Sequence, residues 1–181
     1  MRIALCQTTS PAGDIEAAFA AAERALTVAA AAGASMCVLP ELILPGYTSP
    51  LIEGHRLGGQ CELRLASLAR EQTLFSPGEH FVAFDLEGVR TALLVCYDVE
   101  FAPHVRRLAE RGVRLILCPT ANMLPFTHVS DVVVPAQAVN HGVTIVYANY
   151  CGPEGNLVYA GGSLVAAPDG AVLAKAVPGE A

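Results

Sequence analysis

The run Leu93-Leu94-Val95-Cys96-Tyr97-Asp98-Val99-Glu100-Phe101 turns from apolar to polar at a cysteine, and that turn constrains the fold more than any other feature. Thr91 to Val95 has the length and unbroken hydrophobicity of a short buried strand. Pro103, His104 and Arg106 to Arg111 read as a helix, with proline tolerated in its first turn and Gly112 as its stop. A strand that hands over at once to a helix belongs in a layered α/β fold. The thiol then stands at the carboxyl end of its strand, where such folds place ligands. Backbone N–H groups beside it can face a developing oxyanion. An arbitrary cysteine in an apolar strand is more often a buried structural residue. A second segment of the same design upstream raises the catalytic reading.

That segment is Cys37-Val38-Leu39-Pro40-Glu41-Leu42-Ile43-Leu44-Pro45-Gly46-Tyr47. An apolar strand, Ser35 to Leu39, follows a helix closed by Gly33, and a carboxylate stands at the strand's end. Pro40 and Pro45-Gly46 bracket it in a loop. A carboxylate and a thiol at the ends of two buried strands can meet over one sheet edge. Glu41 is then placed to take the proton of Cys96 and return it to a leaving amine. Read alone, Glu41 is equally well an ordinary loop residue.

The two segments together resemble the nitrilase, or carbon–nitrogen hydrolase, superfamily. Leu39-Pro40-Glu41-Leu42 with Gly46-Tyr47 resembles its general-base motif, and Cys96-Tyr97-Asp98-Val99-Glu100-Phe101 its nucleophile motif. Cys118-Pro119-Thr120-Ala121-Asn122-Met123, Tyr147 to Gly152, Gly161-Gly162-Ser163 with Pro168-Asp169-Gly170, and the opening Arg2 to Gln7 follow in the family's order. The wording around Cys96 is closer to the amidase branch than to true nitrilases. The resemblance implies a four-layer α-β-β-α sandwich over a single domain, 1–181, short at its carboxyl end. It implies Glu41 as base, Cys96 as nucleophile, and Tyr97 (through its N–H) and Asn122 as oxyanion and substrate-binding residues. It implies no cofactor and no metal, and a small amide as substrate.

One family residue is missing. The family places a lysine between base and nucleophile to stabilise the tetrahedral intermediate, and the single lysine here, Lys175, lies past Cys96. Only residues 42 to 95 separate Glu41 from Cys96. The stretch lost near 72–73 is about forty residues, the length of two or three strands with their turns. A sheet left incomplete should expose an apolar edge near Phe81 to Leu86. His55, Arg56, Arg64, Arg70 and His80 fall in the right interval, but charged side chains are mostly exposed, and arginine cannot exchange a proton near neutral pH.

The remaining sequence bounds the function classes. A formal charge of −6 with no basic run argues against a nucleic-acid surface. No uncharged stretch reaches membrane-spanning length, and the start lacks a signal sequence, so a cytoplasmic protein without membrane contact is expected. Six cysteines without C-x-x-C spacing suit reduced thiols better than disulfides or zinc. The pattern predicts strands at 2–7, 35–39, 81–86, 90–95, 113–118 and 143–149, helices at 15–32, 61–72, 103–111 and 129–141, and a closing hairpin around 163–175. Pro135 requires helix 129–141 to begin near Asp131 or to kink. Gln137 and Val139 stand where the family carries charges, which weakens the case for a homo-oligomer. Two functions stay open: a thiol hydrolase working through a thioester at Cys96, or an impaired relative that serves as a binding or partner subunit or is a truncated gene product.

Overall fold

Glycines at the helix ends and β-branched runs between them set the order of elements. The computed structural model describes residues 1–44, 46, 80–177 and 179. The predicted helix 61–72, the 72–73 junction, Tyr47, His55, Cys61, Arg56, Arg64 and Arg70 lie outside the described residues. Strand β1 (Ile3–Leu5) leads to helix α1 (Ile15–Ala31), whose first turn is capped by Asp14, its carboxylate accepting the Ala17 N–H at 3.0 Å. Gly33 in the left-handed region ends it and turns the chain into β2 (Met36–Val38), which pairs in parallel with β1.

The principal sheet has six strands in the order β10-β9-β6-β5-β4-β3. These are β3 (Ala83–Leu86), β4 (Val89–Leu93), β5 (Leu115–Pro119), β6 (Thr144–Ala148), β9 (Leu164–Ala166) and β10 (Val172–Lys175). Its centre, β4-β5-β6, is parallel, with Leu93 opposite Leu117 and Leu117 opposite Val146. Parallel strands are buried on both faces, which is why β5 and β6 read as continuous apolar runs. One face packs on α2 (Ala102–Glu110) and α3 (Val134–His141) through Val105, Leu108, Val134, Ala138, Ile116 and Ile145. The other face, through Leu115, Leu117 and Val146, meets β1 and β2 at Ile3, Leu5 and Val38. Helix α1 lies behind β2, completing an α-β-β-α sandwich. Each fully buried aliphatic side chain in these two cores contributes roughly 1.5–3 kcal/mol relative to exposure.

Three expectations are refined. Pro135 neither starts nor breaks the helix: a π-helical turn, Val129–Val133, runs straight into α3, so the proline falls within the first turn of the α-helical part. The closing Pro-Asp-Gly turn does make an antiparallel edge, β9–β10. Unanticipated is a second hairpin, β7 (Cys151–Glu154) with β8 (Leu157–Ala160). Its alternation is masked by glycine and proline, which are poor strand formers. Among the described residues β3 is the last strand of the sheet. No described helix is long and apolar enough to cross a membrane.

Candidate active site

Strand β4 ends where its chain must bend sharply. Leu94 still donates its N–H to the Leu117 carbonyl, then Cys96 takes φ 47°, a left-handed conformation that non-glycine residues rarely hold. A 3₁₀ turn, Cys96–Glu100, follows, closed by the Asp98 N–H donating to the Val95 carbonyl at 2.9 Å. The Asp98 carboxylate accepts the Val95 N–H at 3.4 Å, gripping the bend from its far side. Strain of this kind costs about 1–3 kcal/mol and persists only where the surroundings over-determine it. Here it lifts the Cys96 thiol off the strand end, half-buried, at the start of a helical turn.

Glu41 arrives from β2. Its side chain is 5% exposed, and its N–H donates to the Thr120 carbonyl at 3.3 Å, docking the loop onto the end of β5. Gly46 closes that loop with its N–H on the Leu42 carbonyl, at φ 71°. A Cβ at Gly46 would stand 2.7 Å from the Gly13 nitrogen, so only glycine allows this approach. The Glu41 carboxylate lies close enough to the Cys96 sulfur for its charge to act on the thiol. Burial, and then the Glu41 charge, push the Cys96 thiol well above the ordinary range, opposed by a hydrogen bond from the Ala121 backbone. Both effects favour the neutral thiol over the thiolate.

The segment after β5 joins the two. Thr120 holds the base loop through its carbonyl and Ala121 faces the sulfur through its backbone, yet neither residue type signals chemistry in a sequence. Tyr97 follows the nucleophile, half-buried, its ring edge-on to Phe101 at 4.7 Å. As a first-turn residue its N–H has no partner within the helical turn. Asn122 is buried beside this cluster, and its side-chain amide donates to the Phe126 carbonyl at 2.9 Å. The Tyr147 hydroxyl lies towards Cys96, Cys118, Asn122 and Thr120.

A buried asparagine that sequence reading passed over secures the wall. Asn149 accepts the Asn122 N–H at 2.7 Å and donates to the carbonyls of Asn122 at 3.0 Å and Gly161 at 2.8 Å. Ser163 donates to the Asn149 carbonyl and, through its own N–H, to Gln7 Oε1 at 3.0 Å. Leaving any of these groups unpaired costs about 1–3 kcal/mol. Gly162 must be glycine, since a Cβ there would lie 2.8 Å from Ser130 Oγ. Lys175 stands on β10 in a salt bridge with Asp131, on the exposed side of the π turn, and His80 is exposed.

Behind the nucleophile, the buried Cys118 donates its S–H towards the Cys96 carbonyl at 3.8 Å. Burial is the main reason its thiol is pushed up to about 12, from an ordinary 9.0. A folded-state pKa above the unfolded one stabilises fully below pH 9 and loses that contribution as pH rises towards 12. The unfolding free energy should therefore fall across this window, by on the order of 4 kcal/mol from this thiol. Urea titrations at successive pH values will show the fall, and Cys118→Ala will make it shallower; an equal slope in both proteins would refute the assignment.

The comparisons with known proteins agree with this geometry. The profile of the family described as carbon-nitrogen hydrolase matches residues 2–69 and 53–181. A protein named "Hydrolase in pqqF 5'region" from Pseudomonas protegens is 39% identical over 161 residues, which are 86% of this chain and 56% of that protein. An (R)-stereoselective amidase from Pseudomonas sp is 36% identical over 59% of this chain and 39% of its own length. The chain thus spans about half, or less, of these curated relatives. Among solved structures, an amidase from Nesterenkonia sp. AN1 bearing acrylamide at its active-site cysteine superposes with a TM-score of 0.92 at 30% identity, covering 100% of this chain and 91% of that one. With its two matching segments, its sandwich and its strand-end cysteine, this chain belongs to the carbon–nitrogen hydrolase family, the nitrilase superfamily, on its amidase-like side.

Proposed function

We propose that this chain hydrolyses non-peptide carbon–nitrogen bonds, converting a small amide to an acid and ammonia or an amine through a thioester at Cys96. The observation that carries the reading is the placement of the buried Glu41 carboxylate beside a thiol held at φ 47°. Glu41 takes the Sγ proton as sulfur attacks the amide carbon, and the carbonyl π electrons move to oxygen, which meets the Tyr97 N–H. The intermediate collapses, the carbon–nitrogen bond breaks, and Glu41 gives the proton to the departing nitrogen. Glu41 then takes a proton from water as its oxygen attacks the thioester. The carbon–sulfur bond breaks, sulfur recovers a proton, and the acid leaves. No cofactor or metal enters these steps.

A second reading, an impaired member acting as a binding or partner subunit, is favoured by one observation: the single lysine of the chain pairs with Asp131 on β10. Iodoacetamide separates the two. Although burial favours its neutral thiol, Cys96 has Glu41 beside it to take the proton as the carbon–sulfur bond forms. Iodoacetamide, itself a small amide, should therefore alkylate it at pH 7 before the other five cysteines, of which Cys118 and Cys151 are buried. Peptide mapping after brief exposure should find the label on Cys96. Labelling at Cys6 or Cys37 first, with Cys96 unmodified, would sink the hydrolase reading and leave the partner subunit.

A further inference from the structure

The hairpin that the sequence did not announce carries a second buried carboxylate. Glu154, at the end of β7, is 2% exposed, and Tyr159 of β8 donates its hydroxyl to Glu154 Oε2 at 2.8 Å. The Tyr159 ring lies 5.1 Å from that of Tyr150, which is fully buried. These two rings pack with Ala121, whose backbone faces the sulfur, and with Ile43 of the base loop. The hairpin is fixed in place: Ala160 donates its N–H to the Asn122 carbonyl at 3.0 Å, and Leu124 donates to the Val158 carbonyl at 2.8 Å.

Resting on the hydrolase reading, we propose that Glu154, held by Tyr159, is a positioning residue for the base: a fixed anion across the tyrosine pair that keeps Glu41 able to regain a proton near neutral pH. A base that must also act as an acid works best when its pKa lies near the working pH. Two carboxylates in one apolar compartment cannot both ionise easily, and their protons leave in two coupled steps. The hydroxyl donated by Tyr159 stabilises the Glu154 anion, so Glu154 ionises first and Glu41 bears the later step. Both carboxylates act on the same hydroxyls, Tyr150 and Tyr159, which burial and these charges push well above the ordinary range. Among the described residues the other titratable groups facing the compartment are Cys96, Cys118 and Tyr147, with Cys6 on the Tyr150 side and Asp98 on the Cys118 side.

The test reads Glu41 itself. In protein labelled with ¹³C at the glutamate carboxyls, the Glu41 resonance, identified by its loss in Glu41→Gln, is followed against pH. Glu154→Gln should move its titration down by at least about one pH unit, the scale of a close like charge. Tyr159→Phe should move it the same way by less, and it carries the test if Glu154→Gln does not fold. A Glu41 titration unmoved in a folded variant overturns the proposal. Because the readout needs no turnover, a chain that titrates as expected but fails to label at Cys96 would overturn the hydrolase reading alone.

Discussion

Replacing Cys96 with alanine will abolish acylation by an activated ester such as p-nitrophenyl acetate, while the parent chain will show a burst of p-nitrophenol and an acyl group on Cys96. The expectation follows from what the site holds and what each step needs. Acylation by a good leaving group requires a nucleophile and a base, and a thiol and a carboxylate proposed for those roles lie beside each other at the end of β4. It needs little help at the leaving oxygen, so the missing lysine weighs least here. Burial and the Glu41 charge favour the neutral thiol, so its proton has to leave as the bond forms, and Glu41→Gln should slow the burst by about 10²–10⁴, the usual worth of a general base. Alanine at 96 can hold the same left-handed backbone at similar cost, so the variant tests chemistry more than folding. Mass spectrometry of the quenched enzyme checks the result. An undiminished burst in Cys96→Ala would mean that another thiol, Cys6 or Cys37 being the half-buried ones, does the work.

Insertion of the lysine-bearing stretch of an amidase relative between Gln72 and Thr73 will raise hydrolysis of an unactivated amide at least about a hundredfold, the usual scale for one oxyanion donor. The chain as it stands should turn over such amides near background. An amide leaves as an amine only after protonation, and its tetrahedral intermediate carries a full negative charge. Tyr97 can offer one backbone N–H, but the only lysine is engaged with Asp131 on β10. His80 is exposed, which removes it as a surrogate for the charge. Release of ammonia from a simple aliphatic amide, measured in both proteins, checks the result. Brisk, Cys96-dependent amide turnover in the parent chain would show that another cation serves, with Arg56 the first residue to replace.

The order of elements was legible because it is written in local chemistry. Gly33, Gly112 and Gly142 end helices through a left-handed backbone that other residues avoid, and β5 and β6 are apolar throughout because a central parallel strand is buried on both faces. Glu41 and Cys96 could be singled out, since each interrupts the polarity of a strand at its carboxyl end. Their meeting could not. It depends on Thr120 and Ala121, which hold the base loop and the sulfur through backbone groups that every residue possesses. Asn122 shows the converse: its position was legible, but its amide is turned to the Phe126 carbonyl by a loop fold no local pattern encodes. Likewise Pro135 forbids a regular helix interior in sequence terms, and only packing chose the π turn that accommodates it. The Glu154–Tyr159 pair lies on a hairpin whose Gly152 and Pro153 disguise it as a loop. Side-chain polarity and backbone propensity act over a few residues, so the sequence alone determined most of the described elements and marked Cys96 and Glu41 as the candidates for nucleophile and base. Hydrogen bonds between distant backbone groups and the burial of charge exist only once the layers close, so tertiary structure decided the upward push on the Cys96 thiol and the company Glu41 keeps.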